Sequence, residues 1–221
     1  GFNKKDKTCI TYIFKLRMSN HIIRKIGFQK DFRCFKKGES FDFKPGITLL
    51  TGDQGCGKST IFYSMMNWQE SGVAFDYDKE NNDGYSFLDT ETMNPRLKDS
   101  FLANREYKNP EEYDLAEFNS GVNSMIYKKQ SHGQVILPLI LASKNKDGKK
   151  VFYIDEPEAG LSIKSQYKIF KHFKKLSKNN QLIIATHSII MMQQMKEVLS
   201  LEHKKWMSAE EFIETQIIKI K

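Results

Sequence analysis

Eight residues constrain this chain more than any others: Gly52-Asp53-Gln54-Gly55-Cys56-Gly57-Lys58-Ser59, followed by Thr60. Glycine-rich backbone can curl until successive N–H groups converge on one point, which suits the oxygens of a phosphate group. Lys58 then reaches the outer phosphates and Ser59 a magnesium ion. The flanks agree with that reading. Ile47-Thr48-Leu49-Leu50 is a short apolar run that ends in the loop, and Ser59 to Trp68 contains no helix breaker, so the order is strand, phosphate loop, helix. A pattern this short also arises by chance. Its weight comes from three further segments in a fixed order: Ser131-His132-Gly133-Gln134, Val151-Phe152-Tyr153-Ile154-Asp155-Glu156, and Ala185-Thr186-His187-Ser188.

With 221 residues and 39% apolar content, the chain fits one domain, 1–221, with enough apolar side chains for a real core. The net charge of +8 would favour nucleic acid or another polyanion. The lysines are scattered rather than gathered, however, which reads as a solvated surface. Cys9, Cys34 and Cys56 form no CxxC pair and no even framework, so neither a disulfide scaffold nor a zinc site is indicated and a reducing cytoplasm is expected. No apolar run approaches the ~20 residues that cross a bilayer, and the lysine-rich start lacks the apolar stretch of a secretion signal. A soluble protein with no membrane partner is the expectation.

Thr8 to Leu16 and Phe41-Asp42-Phe43 read as strands, the second ending at the turn signal Lys44-Pro45-Gly46. Val73 to Tyr77 and Tyr85 to Thr90, around Asn81-Asn82-Asp83-Gly84, read as a hairpin. The polar stretch from Met93 to Lys129 suggests a small helical subdomain, which extends over about 93–145 if the apolar run Val135 to Ala142 is a buried helix. Val151 to Ile154 and Leu182 to Ala185 read as buried strands around an amphipathic helix from about Ile163 to Leu176. The tail from Trp206 through Ser208 to Ile213 reads as a capped helix packed on the sheet. Strands alternating with helices in this way predict an α/β fold with a mainly parallel sheet covered on both faces.

In such a sheet Asp155 stands at the carboxyl edge, where ligands bind, and a carboxylate there can hold magnesium. Glu156, beside it, can orient or deprotonate a water that attacks a terminal phosphate. As bare strand-end charges the two would only aid solubility, a reading that the upstream phosphate loop disfavours. Ser131 to Gln134 reads as a helix start, suited to an anion or simply to capping a helix. His187 ends a buried strand, and contact with the terminal phosphate competes with an ordinary buried histidine. Cys56 reads more simply as a small residue that fits the loop than as a reactive thiol.

This ordered set resembles the ABC-type ATPases: Walker A at Gly52 to Thr60, signature at Ser131 to Gln134, Walker B at Val151 to Asp155, catalytic glutamate at Glu156 and switch histidine at His187. Asp155-Glu156-Pro157-Glu158-Ala159-Gly160-Leu161-Ser162 is similar to the Walker B and D-loop of soluble members of the SMC, RecF and OLD-like groups. Phe32-Arg33-Cys34-Phe35 looks like the N-terminal element of such heads, in which an arginine, here Arg33, approaches the nucleotide. The resemblance implies ATP and Mg2+ as ligands, hydrolysis of ATP to ADP and phosphate, and an ATP-dependent homodimer. In that dimer Ser131 and Gly133 of one copy close over the nucleotide of the other. It also implies N-terminal antiparallel strands, and a role in nucleic-acid processing or control of an effector protein, as in repair or phage defence.

Two departures stand out. The family's glutamine between Walker A and the signature has no counterpart in Phe87-Leu88-Asp89-Thr90-Glu91, where Asp89 or Glu91 are the candidates to replace it. The 73 positions from Lys58 to Ser131 leave no room for coiled-coil arms, so a compact head is expected. Competing readings are the nucleotide-binding subunit of a membrane transporter, a P-loop kinase, which has no use for Ser131 or His187, and a nucleotide switch with feeble turnover.

Overall fold

The computed structural model describes residues 22–78, 84–89 and 149–218. The expected strand over Thr8 to Leu16, most of the Asn81 to Gly84 turn, the helical subdomain over 93–145 and the Ser131 segment lie outside the described residues. Within them the chain runs β1 (Ile23–Phe28), β2 (Ser40–Asp42), β3 (Ile47–Thr51), α1 (Lys58–Met66), α2 (Trp68–Ser71), β4 (Val73–Tyr77) and β5 (Tyr85–Asp89). It continues with β6 (Val151–Asp155), α3 (Ile163–Leu176), β7 (Gln181–Ala185), α4 (Ile189–Met192), β8 (Glu197–Ser200), β9 (Lys205–Ser208) and α5 (Ala209–Ile218).

Two sheets result. The larger has the order β5-β6-β7-β3-β8-β9, parallel from β5 to β8, with β9 antiparallel at the edge. The smaller is antiparallel, in the order β2-β1-β4. The larger sheet is buried on both sides because alternate residues of its strands serve two cores. Leu49, Ile154, Leu182, Ile184 and Val198 face α3, α4 and α5. Leu50, Tyr153, Ile183, Ala185 and Leu199 face α1 and the small sheet, joining Ile26, Phe28, Phe41 and Phe62.

Helix α3 keeps its expected bounds because its signals are local. Ser162 caps it by accepting the Ser165 N–H at 3.3 Å, Ile169, Phe170, Phe173 and Leu176 form one buried stripe, and Lys174 and Lys175 lie at its negative end. The helix after the phosphate loop stops at Met66, with Asn67 breaking it before the short α2.

The expected hairpin does not form. Strand β4 pairs with β1 in the small sheet, whereas β5 pairs in parallel with β6 in the large one. The two strands thus lie in different sheets, and pairing with distant strands overrides the local pattern. Trp206 also differs from expectation: it lies in strand β9, and α5 begins at Ala209, where Ser208 Oγ accepts the Glu211 N–H at 3.0 Å. Strand β8, between β3 and β9, has no counterpart among the sequence expectations. Among the described residues no helix is long and apolar enough to cross a membrane.

Candidate functional site

Three neighbouring strands carry the site. Leu50 of β3 lies opposite Ala185 of β7, and Ala185 lies opposite Asp155 of β6, so the chain leaves all three carboxyl ends side by side. Backbone bonds continue beyond them: Thr186 N–H donates to Leu50 O at 3.1 Å, and Glu156 N–H donates to Ala185 O at 2.9 Å. The phosphate loop, Glu156 and His187 therefore emerge on one edge of the sheet.

The loop's curl depends on glycine. Gly52, Gly55 and Gly57 have φ of 144°, 81° and 106°. A Cβ on Gly57 would stand 2.6 Å from Phe35 Cζ and 2.7 Å from Cys34 Sγ, and one on Gly52 would stand 2.6 Å from Cys56 Sγ. A Cβ on Gly55 would have nothing within 4 Å among the described residues, so that side of the cradle opens outward. Lys58 is buried, and its ammonium donates to Gly52 O at 3.0 Å and Asp53 O at 3.1 Å, which holds the cation against its own loop. Asp53, Gln54 and Ser59 are exposed, and Thr60 is half-buried at the start of α1. Cys56 Sγ is 3.7 Å from Lys58 Nζ, and burial pushes its thiol pKa up, which fits a packing role.

Arg33 occupies left-handed backbone at φ 52°, and its guanidinium lies 4.2 Å from the centroid of Tyr63 and 5.4 Å from that of Phe32. Those two rings are nearly parallel, 6.0 Å apart. Arg33 is thus anchored by cation–π contacts to α1, the helix that follows the phosphate loop.

His187 Nε2 stands 3.5 Å from Glu156 Oε1, and both side chains are 43% exposed. Glu156 also has left-handed backbone, at φ 43°. His187, Gly52 and Asp53 share the wall of a pocket of about 140 Å³ with Ile189, Met192 and Phe212. A larger cleft, about 350 Å³, lies on the small sheet between Lys25, Glu39 and Asp76 and includes none of the motif residues. Asp89 lies opposite Asp155 on the neighbouring strand, at the same edge. Glu91, Ser131, Gly133 and Gln134 lie outside the described residues.

Two residues whose role the sequence did not single out hold this edge together. Glu158 Oε1 accepts the Thr186 hydroxyl at 2.7 Å and the His187 N–H at 2.6 Å. Gln166, on α3, accepts the Ser188 hydroxyl at 2.7 Å and donates to Leu161 O at 3.0 Å. Within the Pro-Glu-Ala-Gly-Leu-Ser run, the only sign of such a role is a second acidic residue two places after Glu156.

The donor set fits a nucleoside triphosphate with Mg2+: a cradle only glycine can form, a cation at its mouth, and hydroxyl and carboxylate oxygens at Ser59 and Asp155 of the kind a hard cation takes. Comparison with known structures agrees on the fold. The nucleotide-free ATP-binding cassette of an ABC transporter superposes with a TM-score of 0.55 at 19% identity, covering 88% of this chain and 94% of that one. The cassette cbiO1 from Clostridium perfringens, part of the ABC transporter complex cbiONQ, superposes with a TM-score of 0.51 at 20% identity, covering 90% and 94%. UvrA2 from Deinococcus radiodurans gives 0.50 at 11% identity, covering 83% of this chain and 36% of that one. The fold is that of a P-loop NTPase of the ABC type, with a mostly parallel sheet and an added antiparallel one. A sequence comparison with curated proteins finds no match. Residues 72–192, more than half of the chain, match the family described as "AAA domain, putative AbiEii toxin, Type IV TA system", and the chain belongs to that family.

Proposed function

We propose that this chain is an ATP-hydrolysing switch akin to the soluble SMC, RecF and OLD-like heads: two copies close head to tail over ATP, hydrolysis reopens them, and the closed state governs a nucleic-acid-processing or effector partner. The observation that carries the reading is the pairing of His187 Nε2 with Glu156 Oε1 at 3.5 Å, on the sheet edge that also bears the phosphate loop. A kinase would have no need of His187 there. The family description names a type IV TA system, which favours an effector partner over a membrane permease.

Each residue then has a task. Lys58 exchanges the carbonyls of Gly52 and Asp53 for the β- and γ-phosphate oxygens, and the loop N–H groups bind the β-phosphate. Ser59 and Asp155 would hold Mg2+, with Asp89 or Glu91 in the role of the family's missing glutamine. When bound, the ion supplies positive charge that offsets charge building on the phosphates. Glu156 accepts a proton from the water whose oxygen attacks the γ-phosphorus, and the bond to the β,γ-bridging oxygen breaks with its electron pair leaving on ADP. His187 donates to a γ-phosphate oxygen, and Arg33, stacked on Tyr63 of α1, approaches the nucleotide. Ser131, Gly133 and Gln134 act on the nucleotide of the second copy.

The test measures mass by light scattering and phosphate release for the wild type and Glu156→Gln, each with and without Mg-ATP. The expected result is a dimer that persists in the variant, with hydrolysis reduced about 10²- to 10⁴-fold, the range for loss of a general base. A monomer at saturating ATP in both proteins would reject the closure, and unchanged phosphate release in the variant would reject the role of Glu156.

A further inference from the structure

We propose that Glu158 is a positioning residue that sets where His187 stands, by tying residues 157–162 to 186–188. The proposal rests on the ATP-hydrolysing reading above and deepens it.

The bonding pattern is specific. One carboxyl oxygen of Glu158 takes both the Thr186 hydroxyl and the His187 N–H, at 2.7 and 2.6 Å. Thr186 Oγ1 in turn accepts the Ser188 N–H at 2.9 Å, so the same hydroxyl fixes the residues on both sides of His187. Gln166 adds a second tie between the segments through Ser188 Oγ and Leu161 O. The turn that presents Glu158 is itself hydrogen-bonded: Ala159 N–H donates to Glu156 O at 3.1 Å, and Leu161 N–H donates to Glu158 O at 2.9 Å. Glu156 and Glu158 therefore belong to one turn, and His187 is bound to that turn through its own backbone. The His187 and Glu156 side chains stand 3.5 Å apart across this tie.

A purely stabilising role accounts poorly for the choice of residue. His187 is exposed, and water would satisfy its N–H at little cost. The chain instead commits a carboxyl group that burial penalises, and one of its oxygens serves the buried Thr186 hydroxyl and the His187 amide together. The arrangement makes sense where the location of the imidazole matters, since an error of about 1 Å in a reacting constellation costs up to about 10²-fold in rate.

The experiment compares the full-length wild type with Glu158→Ala and Glu158→Gln, reading steady-state ATP hydrolysis, equilibrium ATP binding and hydrogen exchange at the His187 amide. The alanine variant should lose about tenfold to a hundredfold in kcat with ATP affinity held within about threefold. Its His187 amide should exchange at least about tenfold faster than in the wild type. The glutamine variant keeps an oxygen that accepts from Thr186 and His187, so it should restore both readouts to within about threefold. If the alanine variant does not fold, Glu158→Asp, which withdraws the acceptor by one methylene, takes its place with the same expectations. Unchanged kcat in the alanine variant, equal loss in alanine and glutamine variants, or unaltered amide exchange would each overturn the proposal. A wild type that binds ATP without hydrolysing it would overturn the hydrolytic reading alone, and the amide exchange would still decide the role of Glu158.

Discussion

Around the phosphate loop, backbone conformation is as restrictive as side-chain chemistry. Gly57 sits at φ 106°, with Phe35 and Cys34 pressed against the place where a side chain would start. Gly57→Ala should destabilise the fold by at least about 1–2 kcal/mol, the cost of left-handed backbone alone, and should weaken ATP binding more than it lowers the melting temperature. Isothermal titration beside thermal denaturation separates the two. Glu158 offers a different test. Burial raises its carboxyl pKa above the ordinary value of 4.5, with Glu156 adding to the rise, while the Thr186 hydroxyl and the His187 amide oppose it. The folded state consequently keeps this proton to higher pH than the unfolded chain does, and the group's contribution to stability falls as pH rises through that window. Thermal melts from about pH 4 to pH 7 should show Glu158→Gln gaining on the wild type as pH increases. A difference independent of pH would refute the assignment.

Elements whose signals are local were legible in the sequence, and those that depend on distant partners were not. Helix α3 announces itself through the Ser162 cap and its buried stripe, and β3, β6 and β7 through apolar runs that end in motif residues. The placement of the phosphate loop, Asp155, Glu156 and His187 at one sheet edge was readable for the same reason, since each follows or ends such a run. No local pattern shows that β4 belongs to β1 and β5 to β6, so the hairpin was misread. Gln181 was equally silent. It is fully buried at the start of β7, where its Oε1 accepts the N–H groups of Ile22 and Ile23 and its Nε2 donates to Ile23 O and Lys44 O. One side chain thus ties the small sheet to the large one. Gln181→Leu strips four buried or half-buried backbone groups of that partner and should destabilise the protein by at least about 2 kcal/mol in urea denaturation, given about 1–3 kcal/mol for each buried group left unmatched. A loss below about 0.5 kcal/mol would mean that the seam does not depend on this residue.

Across the whole molecule, the two sheets share one core and are also joined at their rim. Trp206 Nε1 donates to Asp42 O at 2.9 Å, Lys44 Nζ lies 4.2 Å from the Trp206 ring centroid, and Lys44 pairs with Glu197. Trp206 fluorescence, isolated in a Trp68→Phe background, should therefore change at the same denaturant concentration at which the amides of β3 and β7 lose protection. An earlier fluorescence transition would show that the small sheet detaches first. The side-by-side strand ends have a further consequence. Leu50, Ala185 and Asp155 stand in register, so the distances across the site are multiples of the roughly 4.8 Å pitch between strands. The reacting groups hang from a ruler that loop residues cannot recalibrate. Exchanges within the loops would retune the chemistry, but one residue inserted into β7 would turn Leu182 and Ile184 to the wrong core and carry His187 out of step with both neighbours at once.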